Sequence, residues 1–362
     1  MSLDLVRALA AMAVLLDHWR NIFFVDFGQV ASNRWLWVIP YILTSAGHQA
    51  VVVFFVLSGY LVGGSTVRAM DNGRWGWRSY LLHRGVRLWV VVVPGMLLCA
   101  LFDEIGLRCK LAPNLYGGLS GNHMIGNVAV THTPAIFWGN IFFLQTIFVS
   151  TFGSDGALWS LANEFWYYLL FPLSMVVAIS AFRGKRGFVA GCLACGMIVV
   201  LLVYGPSILL YFPIWMAGAI LATVPAKPLR PTIRMTAWIG YSLVFLLSAR
   251  LDAVNLVFRD YVLALATVAF LWVILSDRRR FAASALSTSI RTTARFSFTL
   301  YVVHTPFLVL LEAFAITRWQ PSLETAGFGL CTLSATIVLA YLIASATEFN
   351  TEKIRTWMEC HV

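Results

Sequence analysis

The most evident shortage in this sequence is charge. Of the 362 residues, only 12% are Asp, Glu, Lys or Arg, whereas 60% are hydrophobic. No polar stretch is long enough to bury a core of its own, which excludes a separate soluble domain, and no solenoid-length repeat or low-complexity tract is visible. Apolar runs long enough to cross a bilayer instead recur from end to end. The sequence therefore predicts an all-α, polytopic transmembrane helical bundle.

The spacing of the cysteines indicates no disulfide framework either. The six cysteines include one C-x-x-C pair, Cys192 and Cys195, but it lies in an apolar run without a second pair, so no metal or redox site is expected.

Acidic residues are outnumbered by Lys and Arg, 16 against 26, which gives a net charge of +10. Because the basic residues fall in short loops between apolar runs, they indicate membrane topology rather than nucleic-acid binding.

The basic loops also decide how many of the eleven apolar segments cross the membrane. If all eleven span, these loops divide between both sides; if segment 136–150 does not span, every basic cluster lies on one side with the N-terminus. That segment is the shortest and contains Asn140 and Gln145, so we expect a short re-entrant or interfacial helix there. The expected bundle has about ten spans with both termini cytoplasmic, residues 1–348 forming the membrane domain and 349–362 a short cytoplasmic tail. The segments are 3–24, 46–67, 84–102, 136–150, 157–181, 187–204, 207–223, 235–250, 260–276, 296–316 and 325–347.

The first segment carries ionisable residues at a spacing that aligns two of them. Arg7 and His18 are eleven residues apart, which on an α-helix corresponds to about 20° in azimuth and ~16 Å in height. Ionisable groups inside membrane spans are costly, and unless they form structural ion pairs they face a cavity or a ligand. We therefore expect Arg7 and His18 to face one groove, Arg7 at its inner end and His18 near its outer end. Asp17 points about 100° away and is not an obvious partner for His18.

The stretch LWSLANEFWYYLLFP, 158–172, supplies a buried carboxylate. In the ten-span topology this helix runs inward, so Glu164 lies about two turns below the outer surface, at a depth similar to that of His18. A histidine and a carboxylate at matched depth suit a general base and the group that orients it. Glu164 is therefore predicted to orient His18 or to stabilise its charged form.

Arginines gather at the inner side. Arg84 and Arg87 lie three residues apart, on one helix face where a loop enters the third span, and Arg78 precedes them. Guanidinium groups bind phosphate through charge and bidentate hydrogen bonds. The alternative, ordinary positive-inside residues, fits Arg78 better than the other two. Together with Arg7 they suit a donor with a phosphorylated head and a long thin arm, which is the shape of an acyl-CoA ester.

Six short motifs occur in order along nearly the whole chain. They are Arg7 and His18 separated by ten residues, VVVFFVLSGYLVG (51–63), HRGVRLW (83–89), NIFFLQ (140–145), LWSLANE (158–164) and SFTLYVVHTPF (297–307). In these motifs the chain resembles the acyltransferase-3 family of membrane acyltransferases, which O-acylate bacterial surface and secreted glycans. One departure is that the basic motif continues into Val90, with the proline delayed to Pro94, which predicts a shifted helix start.

The resemblance implies roles for several of these residues. Arg7 and His18 are implied to be the essential pair, and Arg84 and Arg87 to hold the acyl donor. No cofactor is implied to be tightly bound, since acyl-CoA, with acetyl-CoA as the first choice, is a co-substrate.

Two motif positions have further implications. Glu164 and His304 both fall on positions of the family's motifs. His304 lies midway across its predicted span near Tyr301 and Ser297, where packing in the core or a part in catalysis accounts for it equally well.

The expected function is that of an O-acyltransferase in the inner membrane of a bacterium. It would move an acyl group, foremost acetyl, from acyl-CoA to a hydroxyl of a polysaccharide or lipid-linked glycan, with polysaccharide biosynthesis machinery as a partner. The main alternative is a transporter or flippase of a lipid-linked glycan, in which the buried charges relay a coupling ion. Transporters often show paired half-repeats with helices broken at matching positions, and no such pairing is visible here. A structural subunit of an export complex is a third alternative, which the aligned Arg7 and His18 argue against.

Overall fold

A computed structural model of the chain describes residues 2–122, 124–180, 184–251, 254–276, 285–315 and 317–361. Within these ranges the chain is helical, and its only β-type pairings are isolated bridges such as Phe24 with Trp319. The α-helices are α1 (Ser2–Phe23), α2 (Arg34–Leu43), α3 (Gly47–Ser58), α4 (Gly64–Asp71), α5 (Trp77–Arg108), α6 (Pro113–Tyr116), α7 (Val128–Thr131), α8 (Pro134–Ile141), α9 (Trp159–Ser180), α10 (Gly184–Tyr204), α11 (Pro206–Leu221), α12 (Pro231–Ser248), α13 (Leu256–Leu275), α14 (Ala285–Glu312), α15 (Leu323–Ala346) and α16 (Thr351–His361).

The helices have the length and composition of membrane spans. Among the described residues, seven helical stretches are long and apolar enough to cross a bilayer, and α11 is a shorter apolar helix of 16 residues. The chain is therefore a multi-pass membrane protein. By contrast, α8 has eight residues and rises only ~12 Å, too little for a hydrocarbon core of about 30 Å. Its length agrees with the sequence prediction that segment 136–150 does not cross.

Helix α5 extends well beyond its predicted segment of 84–102. It begins at Trp77 and ends at Arg108, so the basic motif lies inside the helix and Pro94 falls within it. The helix begins seven residues before Arg84, so the delayed proline does not mark its start. This early start places Arg84 and Arg87 on a continuous helical face that leads into the bundle.

The centre of the bundle is formed by α1 and α14. These two helices pack against each other most extensively, with α3 on the other side of α1 and α5 against α14. Leu15 and Leu308 are fully buried there. On the periphery, α10 and α15 leave large apolar side chains exposed, such as Val199 and Leu342, as expected of surfaces that face lipid. Polar side chains on α1 and α14 therefore lie in the interior of the protein rather than against lipid.

A π-helical segment, Gly59–Gly63, joins α3 to α4. Glycines allow α11 to approach α3 and this segment closely: a Cβ on Gly59 would lie 1.8 Å from the Trp215 carbonyl oxygen, and one on Gly218 would lie 2.0 Å from the Val56 carbonyl oxygen. Small residues permit such backbone contact between membrane helices, and π-helical turns frequently mark functional sites. The contact fixes the position of Ser58, the last residue of α3.

The two ends of the bundle differ chemically. Arg7 lies in the second turn of α1, near Arg87 of α5; we call this the arginine end. At the opposite end of α1 lies His18, and the carboxylate of the neighbouring Asp17 packs against Gly47 at the start of α3. We call this the histidine end.

The predicted C-terminal tail is helical at its core. Its residues 351–361 form α16, which packs on α5 at the arginine end, where His83 and Glu359 are hydrogen bonded.

Candidate active site

A cavity of about 360 Å³ lies between α1, α3, α5, α9 and α14. This volume is within the usual range of small-molecule sites. Its wall combines apolar side chains with three guanidinium groups, one carboxylate and several hydroxyls. The lining residues are Arg7, Val51, Phe54, Phe55, Leu57, Ser58, Leu61, Val62, Arg84, Arg87, Leu88, Ser160, Leu161, Glu164, Tyr168, Ser297, Phe298 and Tyr301.

The arginines predicted from the sequence meet at one end of this cavity. Arg7 donates to Ser297 Oγ at 3.4 Å, and Arg84 donates to Ser65 Oγ at 3.2 Å. The Arg84 guanidinium also lies over the rings of Tyr80 and Tyr168, 5.6 and 5.8 Å from their centroids. Its Nε is buried without a hydrogen-bond partner among the residues the structure describes. This end therefore carries positive charge and unused donors, which suit an anionic group.

Arg78 does not belong to this group. It is exposed near the start of α5 and is absent from the cavity wall, because it lies almost two helical turns before Arg84. The alternative weighed for it from the sequence, an ordinary positive-inside residue, agrees with this position.

Glu348 is a site residue that the sequence analysis missed. Its carboxylate accepts hydrogen bonds from the backbone N–H and the hydroxyl of Thr299, at 2.9 and 2.8 Å. It also interacts electrostatically with Arg87 and Arg7. In the sequence, Glu348 could have been noticed as an acidic residue directly after the last long apolar run, where the membrane domain was predicted to end. Glu348 links that boundary to the arginine end of the cavity.

The structure corrects the predicted pairing of Glu164 with His18. The Glu164 carboxylate lines the cavity and accepts a hydrogen bond from Ser58 Oγ at 2.7 Å and another from the Tyr168 hydroxyl. It interacts electrostatically with Arg7 rather than with His18. Matched depth along two helices was not sufficient, because two hydroxyl donors adjacent to Glu164 hold its carboxylate within the cavity.

His18 is instead paired with His304. His304 Nε2 lies 2.9 Å from His18 Nδ1, and the two rings have centroids 4.9 Å apart. Thr305 Oγ1 lies 3.2 Å from each of these two nitrogens. Asp17 takes no part in this group and accepts a hydrogen bond from Arg20 at 3.4 Å, as its predicted direction on the helix implies. A residue from α14 thus orients the histidine of α1.

The hydrogen bonds assign the protons of both histidines. His304 Nδ1 faces the carbonyl oxygens of Leu300 and Tyr301, at 3.0 and 2.8 Å, so this nitrogen must carry a proton. In the neutral ring Nε2 is then an acceptor, and His18 Nδ1 must donate to it. The remaining nitrogen of His18, Nε2, therefore carries a free lone pair. His18 is also partly exposed, whereas His304 is buried, so it is His18 that is accessible as a base.

Tyr301 connects this histidine pair to the cavity. Its hydroxyl lies 2.7 Å from Ser160 Oγ and donates to the carbonyl oxygen of Ala157 at 3.0 Å, and its ring contacts both Phe54 and His304. The cavity wall includes Arg7 but not His18, so the common groove predicted for these two residues is interrupted. Phe54 and Tyr301, which we call the aromatic layer, pack against each other in the cavity wall, and Tyr301 also contacts His304.

A second histidine pair, in which the partner of the histidine is an aspartate, lies at the histidine end. It was not identified from the sequence. His48 Nε2 lies 2.8 Å from Asp260 Oδ2, and Tyr211 Oη donates to the same oxygen at 2.9 Å. The His48 ring is stacked parallel to Trp159, with centroids 6.4 Å apart. Two sequence features could have indicated this pair: an aspartate in the apolar run 260–276 and a histidine at the start of the second predicted span.

Comparisons with known proteins identify the family to which this chain is similar. The acyltransferase-3 family model, described as an acyltransferase domain, matches residues 2–345. Nodulation protein 10 of Rhizobium leguminosarum bv. viciae is 26% identical over 178 residues. That match covers 48% of this chain and 44% of the relative, so the chain spans less than half the length of the curated relative. No solved structure matches the chain.

Proposed function

This chain belongs to the acyltransferase-3 family and is a membrane acyltransferase, and from that premise we propose that it is an O-acyltransferase. It moves an acyl group, foremost acetyl, from acyl-CoA to a hydroxyl group of a polysaccharide or lipid-linked glycan. The observation that carries this proposal is the hydrogen-bond chain from the α14 carbonyls through His304 to His18, which leaves His18 Nε2 as a base. A neutral histidine with a fixed tautomer is the usual general base for activating a hydroxyl.

The donor is proposed to enter at the arginine end. Arg84 and Arg87 bind the phosphates of the CoA nucleotide, and Arg7 contributes the third positive charge. The apolar part of the cavity, with Phe55 and Leu161 in its wall, accommodates the arm that carries the thioester. Tyr301, which contacts His304 of the histidine pair, lines the same cavity. The thioester is thus brought to the aromatic layer next to His18.

The transfer step uses His18 twice. His18 Nε2 accepts the proton of the glycan hydroxyl as the oxygen attacks the thioester carbonyl carbon. The tetrahedral intermediate then collapses, the carbon–sulfur bond breaks, and His18 returns the proton to the leaving CoA thiolate. The products are an O-acyl ester and free CoA, and His18 ends in its starting state. His304 holds the His18 ring in place through both proton transfers.

The membrane arrangement proposed for this reaction has about ten spans with both termini in the cytoplasm. The arginine end then faces the cytoplasm, where acyl-CoA is available, and the histidine end faces outward. The basic residues of the loops between spans support this orientation. The membrane is proposed to be the inner membrane of a bacterium, and polysaccharide biosynthesis enzymes supply the glycan.

The experiment that tests the function follows an acyl group from donor to glycan. Membrane vesicles containing the protein are incubated with [¹⁴C]acetyl-CoA and with surface glycan isolated from cells that lack the gene. We expect label on the glycan with the native chain and none with His18→Ala at equal membrane expression. Movement of unlabelled glycan across the membrane without acylation would instead support the transporter alternative, and undiminished acylation by His18→Ala would refute the role of His18.

A further inference from the structure

The pair formed by His48 and Asp260 is a built site that the proposed transfer step does not use. Asp260 is 1% exposed and lies in an apolar helix, whereas the His48 side chain is 32% exposed. The Asp260 oxygen that faces His48 also accepts a hydrogen bond from Tyr211. A buried carboxylate in a membrane helix is costly unless donors satisfy it. Two donors from two other helices satisfy this one, and one of them is a histidine that reaches the surface.

This arrangement assigns an accessible hydrogen-bond acceptor. Because the Asp260 carboxylate can only accept, His48 Nε2 must carry the proton of the 2.8 Å hydrogen bond. In the neutral ring the lone pair is then on Nδ1. Among the residues the structure describes, Nδ1 of His48 has no hydrogen-bond partner, and the ring is about one-third exposed. A purely structural tie between α3 and α13 would not require an exposed ring with a free nitrogen.

The position of His48 connects it to the donor cavity. His48 and Phe55 are seven residues apart on α3 and therefore lie on the same helix face, and Phe55 is part of the cavity wall. Trp159 contacts both of them, with ring centroids 6.4 Å from His48 and 6.0 Å from Phe55. The next residue, Ser160, also lines the cavity. The pair thus lies above the end of the cavity that is opposite to the arginines.

Other polar side chains lie next to the two members of this pair in sequence. The Ser248 carbonyl oxygen accepts hydrogen bonds from Gln49 Nε2 at 3.4 Å and from Arg259 Nη1 at 3.2 Å. Gln49 follows His48 in sequence, and Arg259 precedes Asp260. These contacts tie α3 and α13 to the end of α12, so that of the groups named here it is His48 that offers an accessible acceptor. An acceptor nitrogen suits a ligand group that donates, such as a hydroxyl, and does not suit an anion.

We propose that His48, oriented by Asp260, binds the acceptor. Its Nδ1 accepts a hydrogen bond from a hydroxyl of a polyhydroxylated glycan that approaches from the histidine end, and this contact places a second hydroxyl towards His18. The inference rests on the proposed O-acyltransferase function and adds the acceptor subsite to it. Donor binding at the arginine end is independent of this contact.

The test separates acceptor affinity from donor affinity. Purified His48→Gln, Asp260→Asn and Tyr211→Phe proteins are assayed with [¹⁴C]acetyl-CoA and the surface glycan fraction described above. For His48→Gln and Asp260→Asn we expect the apparent KM for glycan to rise by about fivefold, the typical value of one hydrogen bond, with the KM for acetyl-CoA unchanged. Tyr211→Phe retains both members of the pair and should raise the glycan KM by about twofold.

A matched control is His132→Gln. His132 is another histidine near a carboxylate, with Nδ1 3.7 Å from Glu104, but it lies outside the cavity wall. This variant should have both KM values of the native protein. Size-exclusion chromatography in detergent checks the fold of each variant, and Tyr211→Phe decides the matter if His48→Gln does not fold. Glycan KM values unchanged in all folded variants, or equal changes in both KM values, would overturn the proposal. If the native protein transfers no label, it is the proposed function that fails, and the acceptor subsite fails with it.

Discussion

The two histidine pairs of this protein are built in different ways. His18 is held by a neutral partner, His304, whose own proton is bound by backbone carbonyls of α14. His48 is held by the carboxylate of Asp260. A neutral partner fixes a tautomer without placing a formal charge among the central helices, where an isolated charge would be costly. A carboxylate requires further donors, and Asp260 receives one from Tyr211 in addition to that of His48. A membrane helix can therefore orient a base through its own backbone carbonyl groups.

The two pairs also differ in what they face. The ring of His304 contacts Tyr301, which lines the donor cavity, so the first pair adjoins the end of the acyl arm. In the second pair the His48 ring stacks on Trp159, and its Nδ1 has no hydrogen-bond partner within the part of the chain that the structure describes. We therefore assign proton transfer to the first pair and acceptor binding to the second. Kinetic measurements on variants can refute this assignment.

The largest expected effect is that of His18→Ala. Loss of a general base typically lowers the rate by about 10²–10⁴-fold, and we expect the kcat for transfer of label to glycan to fall in this range. The measurement is label on glycan per amount of protein in membranes. If His48→Ala abolished transfer while His18→Ala did not, the roles of the two pairs would be reversed.

A smaller effect is expected of Arg87→Ala, which tests the donor end apart from both pairs. Removing one charge-assisted hydrogen bond to a phosphate should raise the KM for acetyl-CoA by about tenfold or more. The KM for glycan should not change, because the arginine end is opposite to His48. The control is Arg74→Ala, since Arg74 is exposed and absent from the cavity wall. An equal rise in both KM values would contradict separate donor and acceptor ends.

His304→Ala tests the first pair by removing the neutral partner of His18. His18 then loses the acceptor that fixes its tautomer, and we expect kcat to fall by about tenfold, with both KM values unchanged. His304→Gln retains an acceptor oxygen for His18 Nδ1 and should recover part of the rate. A role in core packing alone would lower the amount of folded protein and would show no such recovery, which size-exclusion chromatography and steady-state kinetics together distinguish.

The smallest effect is expected from coupling between the pairs. If they act independently, the free-energy effects of His304→Ala and Tyr211→Phe on kcat/KM for glycan should add in the double variant to within about 0.5 kcal/mol. Kinetics of the two single variants and the double variant provide the measurement. A larger coupling would show that the two pairs work as one unit, and the division of roles proposed here would have to be abandoned.

Much of this architecture follows from patterns in the sequence. The apolar runs predicted where the long helices lie, although α5 and α14 begin 7 and 11 residues before their predicted segments, and the eight residues of α8 are too few to cross the membrane, as expected of segment 136–150. Arg7, Arg84 and Arg87 were predicted to lie on the same side of the bundle, and in the structure all three line one cavity.

The partners of the ionisable groups could not be predicted in the same way. Glu164 was paired with His18 on depth alone, yet in the structure it is held by Ser58 and Tyr168. Depth is a one-dimensional quantity, whereas a hydrogen bond also depends on the rotation of each helix and on the side chains that intervene. Glu348 and Asp260 were missed for the same reason, since their partners are 49 and 212 residues away in sequence.

The amino-acid sequence by itself determined that this chain is a multi-pass helical membrane protein and which ionisable residues it carries into the bundle, because hydropathy and spacing are local properties. The tertiary structure alone decided that His18 is oriented by another histidine, that the aromatic layer of Phe54 and Tyr301 forms part of the cavity wall, and that a second histidine is held by a buried carboxylate. Those outcomes depend on which helices touch and how each is rotated, and packing of the whole bundle sets both.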